Sequence, residues 1–185
     1  MDVFSFDEWW NCLEKAGLVQ NATKKSWKKG QTIFSQGEIY SDIVVLVEGL
    51  VKLYYDTADG KEWIKSFIVD RGVFGSRLSQ ALQRPSPFSA CCLEDSRTIH
   101  IPYALFSKAY IENNALAHVT HAFGQWLGVR KEEREHDLLC LSAEDRYRKL
   151  IRTEAALVAR ITQIDMARYL GITPVALSRI KSRTK

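Results

Sequence analysis

The stretch TQIDMARYLGITPVALSRI, residues 162–180, leaves the C-terminal end few ways to fold. Thr162 and Asp165 stand at capping-box spacing and open a helix. Met166 and Leu170 lie one turn apart on its inner face, and Ala167 is small where a second helix must cross. Gly171 falls where a left-handed residue has to turn the chain. Thr173 caps the next helix, and Pro174 takes its first position, where a missing amide costs nothing. Leu177 and Ile180 pack that helix back onto the first. A helix-turn-helix satisfies all of these positions at once.

Charge follows the same division. Residues 142–185 hold ten Lys/Arg and four Asp/Glu, a net of +6, whereas residues 1–141 hold sixteen and eighteen, a net of −2. A basic tail on a near-neutral module is the electrostatic footprint of a nucleic-acid binder. Its expected exposed basic set is Arg168, Arg179, Lys181, Arg183 and Lys185.

Upstream, the hydrophobic period changes twice. Residues 5–15 read as a helix, with Ser5 and Glu8 as a capping box and Phe6, Trp9, Trp10 and Leu13 on one face. Residues 27–101 alternate with period two in short runs, QTIFSQGE, DIVVLVEGLVKLYY, KEWIKSFIV and SRTIHIP. Gly30, Gly37, Gly49, Gly60, Gly72 and Gly75 punctuate them, at expected positive φ or tight turns, and Asp59-Gly60 is a hairpin signal. Such punctuation predicts a jelly roll or small barrel.

After Pro102 the period is helical. Leu116, Val119, Phe123 and Leu127 continue with Leu138 and Leu141 around the charged run RKEEREHD. One helix of roughly 28 residues would run about 40 Å. That is too long for a small roll to cover, so a second copy of the same helix is the expected partner of its stripe. The fold class is α+β: a sensor-like region over 1–112 with an N-terminal helix and β-roll, a dimerisation helix over 113–141, and a short, wingless helix-turn-helix over 142–185. Leu116, Val119, Phe123 and Leu127 are the expected dimer contacts.

The module order resembles the catabolite-activator/FNR (Crp/Fnr) family of bacterial transcription regulators over nearly the whole chain. KKGQTIFSQGE, LVEGLVKLYY and GVFG resemble its β-roll glycine pattern. LSAEDRYRKLI followed by ITQIDMARYLGITPVALSRIK resembles the DNA-binding end of its short orphan members in Bacteroidetes. The resemblance implies a cytoplasmic homodimer that reads a two-fold operator in double-stranded DNA, with RNA polymerase a candidate partner and a ligand in the roll a candidate switch.

In the family's cyclic-nucleotide-binding members, a glutamate after the Phe-Gly turn holds the ribose, and an arginine before Ser/Thr-Ala clamps the phosphate. Here Phe74-Gly75 is followed by Ser76 and Arg77, and Phe88-Ser89-Ala90 occupies the Arg-Ser-Ala position. Both charged anchors are missing. Losing such a buried bond to phosphate costs about 3–5 kcal/mol. Cyclic AMP is therefore not the expected ligand; an apolar or neutral ligand, or none, is.

The recognition helix is expected over 173–183. The family's arginine and glutamate after the cap are replaced by Pro174 and Val175, so its base code does not carry over. Val175 suits a thymine methyl, Ser178 a base edge or phosphate, and Arg179 a guanine. Thr173 sits at the groove end, while Lys181, Arg183 and Lys185 suit phosphates. With no wing after residue 185, modest affinity is expected.

Other classes find little in the sequence. A cupin-like metalloenzyme needs several histidines converging in the roll, and only His100 lies there; His118, His121 and His136 fall on the long helix. The four cysteines, Cys12, Cys91, Cys92 and Cys140, lack the spacing of a zinc, iron–sulfur or haem site and are expected to be reduced. No membrane span and no catalytic arrangement is expected. The other rival is a small-molecule sensor with little DNA binding.

Overall fold

The structure is a computed structural model describing residues 4–183. Lys185, an expected phosphate contact, lies outside the described residues.

Helix α1 (Phe6–Lys15) opens the chain, its Ser5 cap accepting from the Glu8 amide at 3.4 Å. Strands β1 (Thr23–Trp27), β2 (Thr32–Phe34), β3 (Ile43–Glu48), β4 (Leu50–Asp56), β5 (Glu62–Val69) and β6 (Gly72–Phe74) follow. A short helix α2 (Arg77–Leu82) separates them from β7 (Ser89–Cys92) and β8 (Ser96–Ile101). The strands form two antiparallel four-stranded sheets, β1-β8-β3-β6 and β2-β7-β4-β5. This is the expected roll, and β4 and β5 form the hairpin expected at Asp59-Gly60.

Burial on both faces explains why β3 reads as an unbroken apolar run. Val44 and Leu46 point between the sheets, toward Val51, Leu53, Phe74 and Phe88. Val45 points the other way, into a second core with Trp9, Leu13, Ile99, Ile101 and Phe106. Gly75 has a different role from the one expected. Its φ is not positive; a Cβ there would collide with the Gln80 amide and stand 3.0 Å from the Asp42 carbonyl oxygen, so the position needs room. The same holds at Gly72, against Ile68 and the Val69 carbonyl.

Helix α3 (Tyr103–Glu112) leads into α4 (Asn114–Cys140), whose Asn113 cap accepts from the Leu116 amide at 3.0 Å. Its apolar stripe is covered in part within the subunit. Leu116, an expected dimer contact, is 0% exposed within the subunit, in the second core. Val119 packs against the same core, and Phe123 lies among Phe4, Trp9 and Trp126 with ring centroids 4.8–6.3 Å apart. Val119, Phe123 and Leu127 are only half-buried. The aromatic N-terminal helix thus covers part of the α4 stripe within the subunit.

No loose tether joins the C-terminal region. Ser142 caps α5 (Ala143–Thr153) directly after α4, accepting from the Asp145 amide at 3.1 Å. Arg146 staples the junction, donating to the Leu141 carbonyl at 2.6 Å and the Leu170 carbonyl at 3.1 Å. Helix α6 (Ala155–Val158) precedes the expected pair, α7 (Gln163–Leu170) and α8 (Pro174–Arg183). Gly171 turns between them at φ 70°, the left-handed residue the crossing requires. Met166, Ala167, Leu170, Leu177 and Ile180 are buried together with Tyr147 and Leu150.

Candidate functional site

On α8 the residues left over from packing form one outward face. Leu177 and Ile180 point inward, while Thr173, Val175, Ser178, Arg179 and Arg183 are exposed and Lys181 is half-buried. The Thr173 hydroxyl accepts from the Ala176 amide at 3.2 Å and fixes the start of the helix. Val175, 63% exposed at the N-terminal end, is an apolar side chain with no packing role in the subunit. Arg168 departs from expectation: it is half-buried and donates to Glu62 of β5 at 3.0 Å.

That contact belongs to a larger seam in which α7 packs on β5. The Phe67 and Tyr169 rings are 5.2 Å apart. Arg134 of α4 lies 3.9 Å from the Tyr169 ring and donates to the Ile64 and Tyr169 carbonyls at 3.0 and 2.8 Å. Lys52 of β4, nearly buried, reaches Glu62 at 2.5 Å and Asp165 at 3.8 Å. Arg160, just before α7, forks onto Glu94 at 3.0 and 2.7 Å, meets Asp70 at 2.7 Å and donates to the Gly49 carbonyl at 2.9 Å. Hydrogen bonding to Glu94 and Asp70 raises the Arg160 pKa above its already high ordinary value. It also holds the Glu94 carboxyl below the usual range; at Asp70 burial opposes the shift, and the Gly49 amide and Arg160 outweigh it.

A cavity of about 1080 Å3 opens between the roll and α4. It contains most of the expected ligand pocket: Phe74, Gly75, Ser76, Arg77 and Phe88 line it. Ser89 and Ala90 do not. Ala90 is wholly inside the roll core, and the buried Ser89 hydroxyl accepts from the Gln36 amide at 2.9 Å. The loop between α2 and β7 is tied down by Ser86, whose amide donates to the Glu38 carbonyl at 2.8 Å and whose carbonyl accepts from Gly37 at 2.9 Å. Arg84 on that loop is exposed and outside the cavity lining.

The lining is not neutral. Lys65 of β5 sits 4.0 Å over the Phe88 ring. Burial first, and then the neighbouring Lys131, pushes its pKa down to about 8. Lys65 and Lys131 were not among the expected pocket residues. The signal for Lys65 was present, a lysine inside the apolar run WIKSFIV, but nothing in the sequence said which face it took.

His100 lies in the other sheet, hydrogen-bonded at both ring nitrogens, to Tyr40 and Thr98 at 2.6 Å each. Burial first, then Lys25, lowers its pKa to about 4, so the ring is neutral at physiological pH. Among the described residues no group of three His, Cys, Asp or Glu side chains is placed to hold a metal ion, and no helix is long and apolar enough to cross a membrane.

Comparison with known proteins agrees with this architecture. The cyclic nucleotide-binding domain family matches residues 24–113. FixK2 from Bradyrhizobium japonicum superposes with a TM-score of 0.75 at 20% identity, over 88% of this chain and 83% of that one. CLP from Xanthomonas campestris, described as a c-di-GMP-responsive global regulator, gives 0.74 at 14% identity over 95% and 91%. The catabolite activator protein of Thermus thermophilus gives 0.59 at 18% identity over 94% and 82%. No curated protein sequence matches. In fold the chain is similar to the Crp/Fnr-type regulators, and its residues 24–113 match the cyclic nucleotide-binding domain family.

Proposed function

We propose that the chain is a sequence-specific DNA-binding transcription regulator that acts as a homodimer on a two-fold operator. The observation that carries this reading is the outward face of α8, where Val175, Ser178 and Arg179 project from a helix whose other side is locked into its own core. A face of this kind fits the major groove, with Arg179 reading guanine and Val175 touching a thymine methyl. Thr173, Lys181, Arg183 and Lys185 supply phosphate contacts. Pairing runs along α4, where Val119, Phe123 and Leu127 keep part of their surface, and spaces the two recognition helices about 34 Å apart. The roll acts as the sensor. Its effector is not a cyclic nucleotide held in the family's way, because Phe88 stands where the phosphate-clamping arginine would be.

The test is selection of duplexes from a random pool, followed by titration of the selected site with wild type and Arg179→Ala. Loss of a bidentate arginine–guanine contact weakens specific binding by about 5- to 150-fold and relaxes preference at one base pair. Indifference to the substitution favours the alternative, a ligand-binding module with little DNA recognition.

A further inference from the structure

The cavity has an unbalanced charge. Arg130 is engaged with Glu154 at 3.8 Å and with the Trp126 ring at 5.0 Å. Arg134 is taken up by two carbonyls and the Tyr169 ring. Lys65 has the ring of Phe88 beneath it and the ammonium of Lys131 beside it, and among the described residues no ion pair reaches either lysine. Glu135, one turn beyond Lys131 on α4, also borders the cavity but does not pair with it. Two like charges held together over an apolar floor repel one another, and the half-buried one has lost much of its water. An arrangement of this kind is relieved by an anion between the two ammonium groups.

The rest of the wall limits what can carry that anion. Tyr55, Trp63, Phe88, Phe123 and Trp126 present aromatic surface. A cavity of about 1080 Å3 takes a compact organic molecule with room to spare. We infer that the roll binds a small organic anion, a carboxylate or phosphate head on a planar apolar body, with the head between Lys65 and Lys131 and the body against Phe88 and Trp126. The cation that position 88 lacks is supplied from β5 and from α4. Because Lys131 belongs to the long helix and Lys65 to the roll, the ligand's head ties the two together. This deepens the reading of the roll as a sensor but does not require duplex recognition.

Calorimetric titration of the full chain, without DNA, tests it with three probes of one shape: 1-naphthoate, 1-naphthyl phosphate and the neutral 1-naphthalenemethanol. Either anion should bind at least tenfold more tightly than the alcohol, and the stronger of the two identifies the head group. Lys65→Met should weaken the preferred anion by about 10- to 100-fold and leave the alcohol unchanged. Lys131→Met, on the exposed side of the pair, should give a smaller loss of the same kind. Equal affinity for anion and alcohol overturns the proposal, as does an unchanged anion affinity in Lys65→Met, or no heat from any probe at millimolar concentration. Since no duplex is present, failure of the DNA-reading proposal leaves this result interpretable.

Discussion

Two lysines on neighbouring strands of one sheet have opposite surroundings. Lys52 of β4 lies against α7, where Glu62 and Asp165 neutralise it and Arg168 completes the cluster through Glu62. Lys65 of β5 lies against the cavity with an aromatic ring and a second lysine for neighbours. The first site is closed: its charges are matched inside the subunit, and it fastens the helix-turn-helix to the roll. The second has no counter-charge among the described residues, at a cost to the free protein that the proposed anion would relieve. A buried charge by itself says little about function; what separates these two is whether the fold already supplies the counter-charge.

The comparison can be broken most forcefully on the closed side. Lys52→Ala leaves Glu62 and Asp165 facing each other without their shared cation, and should cost about 3 kcal/mol of stability in urea denaturation. A loss no larger than that of an ordinary surface lysine would mean that the seam is not held by this cluster. Arg160→Ala removes the clamp onto Glu94, Asp70 and the Gly49 carbonyl. Because these side chains are 28–44% exposed, the expected loss is discounted to about 1–2 kcal/mol. Hydrogen exchange should show it as faster opening of α7 against an unchanged roll core. Acid should weaken the same clamp. Glu94 and Asp70 have folded pKa values below their unfolded ones, so their contribution is fully present above the usual carboxylate range and is lost as pH falls below it. The gap between wild type and Arg160→Ala should therefore close at low pH.

On the open side the effect is smaller and of opposite sign. Lys65→Met should stabilise the free protein at pH 7 by about 1 kcal/mol, since it removes an unpaired, partly desolvated charge. Its folded pKa of about 8 lies below the ordinary 10.5. Between those values the unfolded chain binds more protons, so wild-type stability rises with pH and the advantage of the variant shrinks. A wild type already more stable than Lys65→Met at pH 7 would place a counter-charge beside Lys65 after all.

Local chemistry made much of this legible in advance. The capping residues Ser5, Ser142, Thr162 and Thr173, the turn at Gly171 and the inward set of α7 and α8 follow from rules acting over a few residues. The adjacent Cys91 and Cys92 also divide as strand geometry requires, one half-buried and one buried. What the sequence concealed was decided between distant segments. Leu116 reads as part of an exposed stripe until α1 and α3 are seen to cover it. Arg168 reads as a free cation until Glu62 arrives from a strand more than a hundred residues away. Helix α2 was hidden because RLSQAL is too short to show a period. In the same way Lys65 and Lys131 become neighbours only when α4 lies along the roll.

The central claim is that a paired chain places two copies of α8 in successive grooves of duplex DNA. Analytical ultracentrifugation at micromolar concentration in low salt, with and without a duplex carrying a selected two-fold site, tests it most directly. The account predicts two subunits in free solution and one duplex per two subunits in the complex, with retention falling steeply as salt is added. A species that stays a single subunit and leaves the duplex unshifted would contradict it.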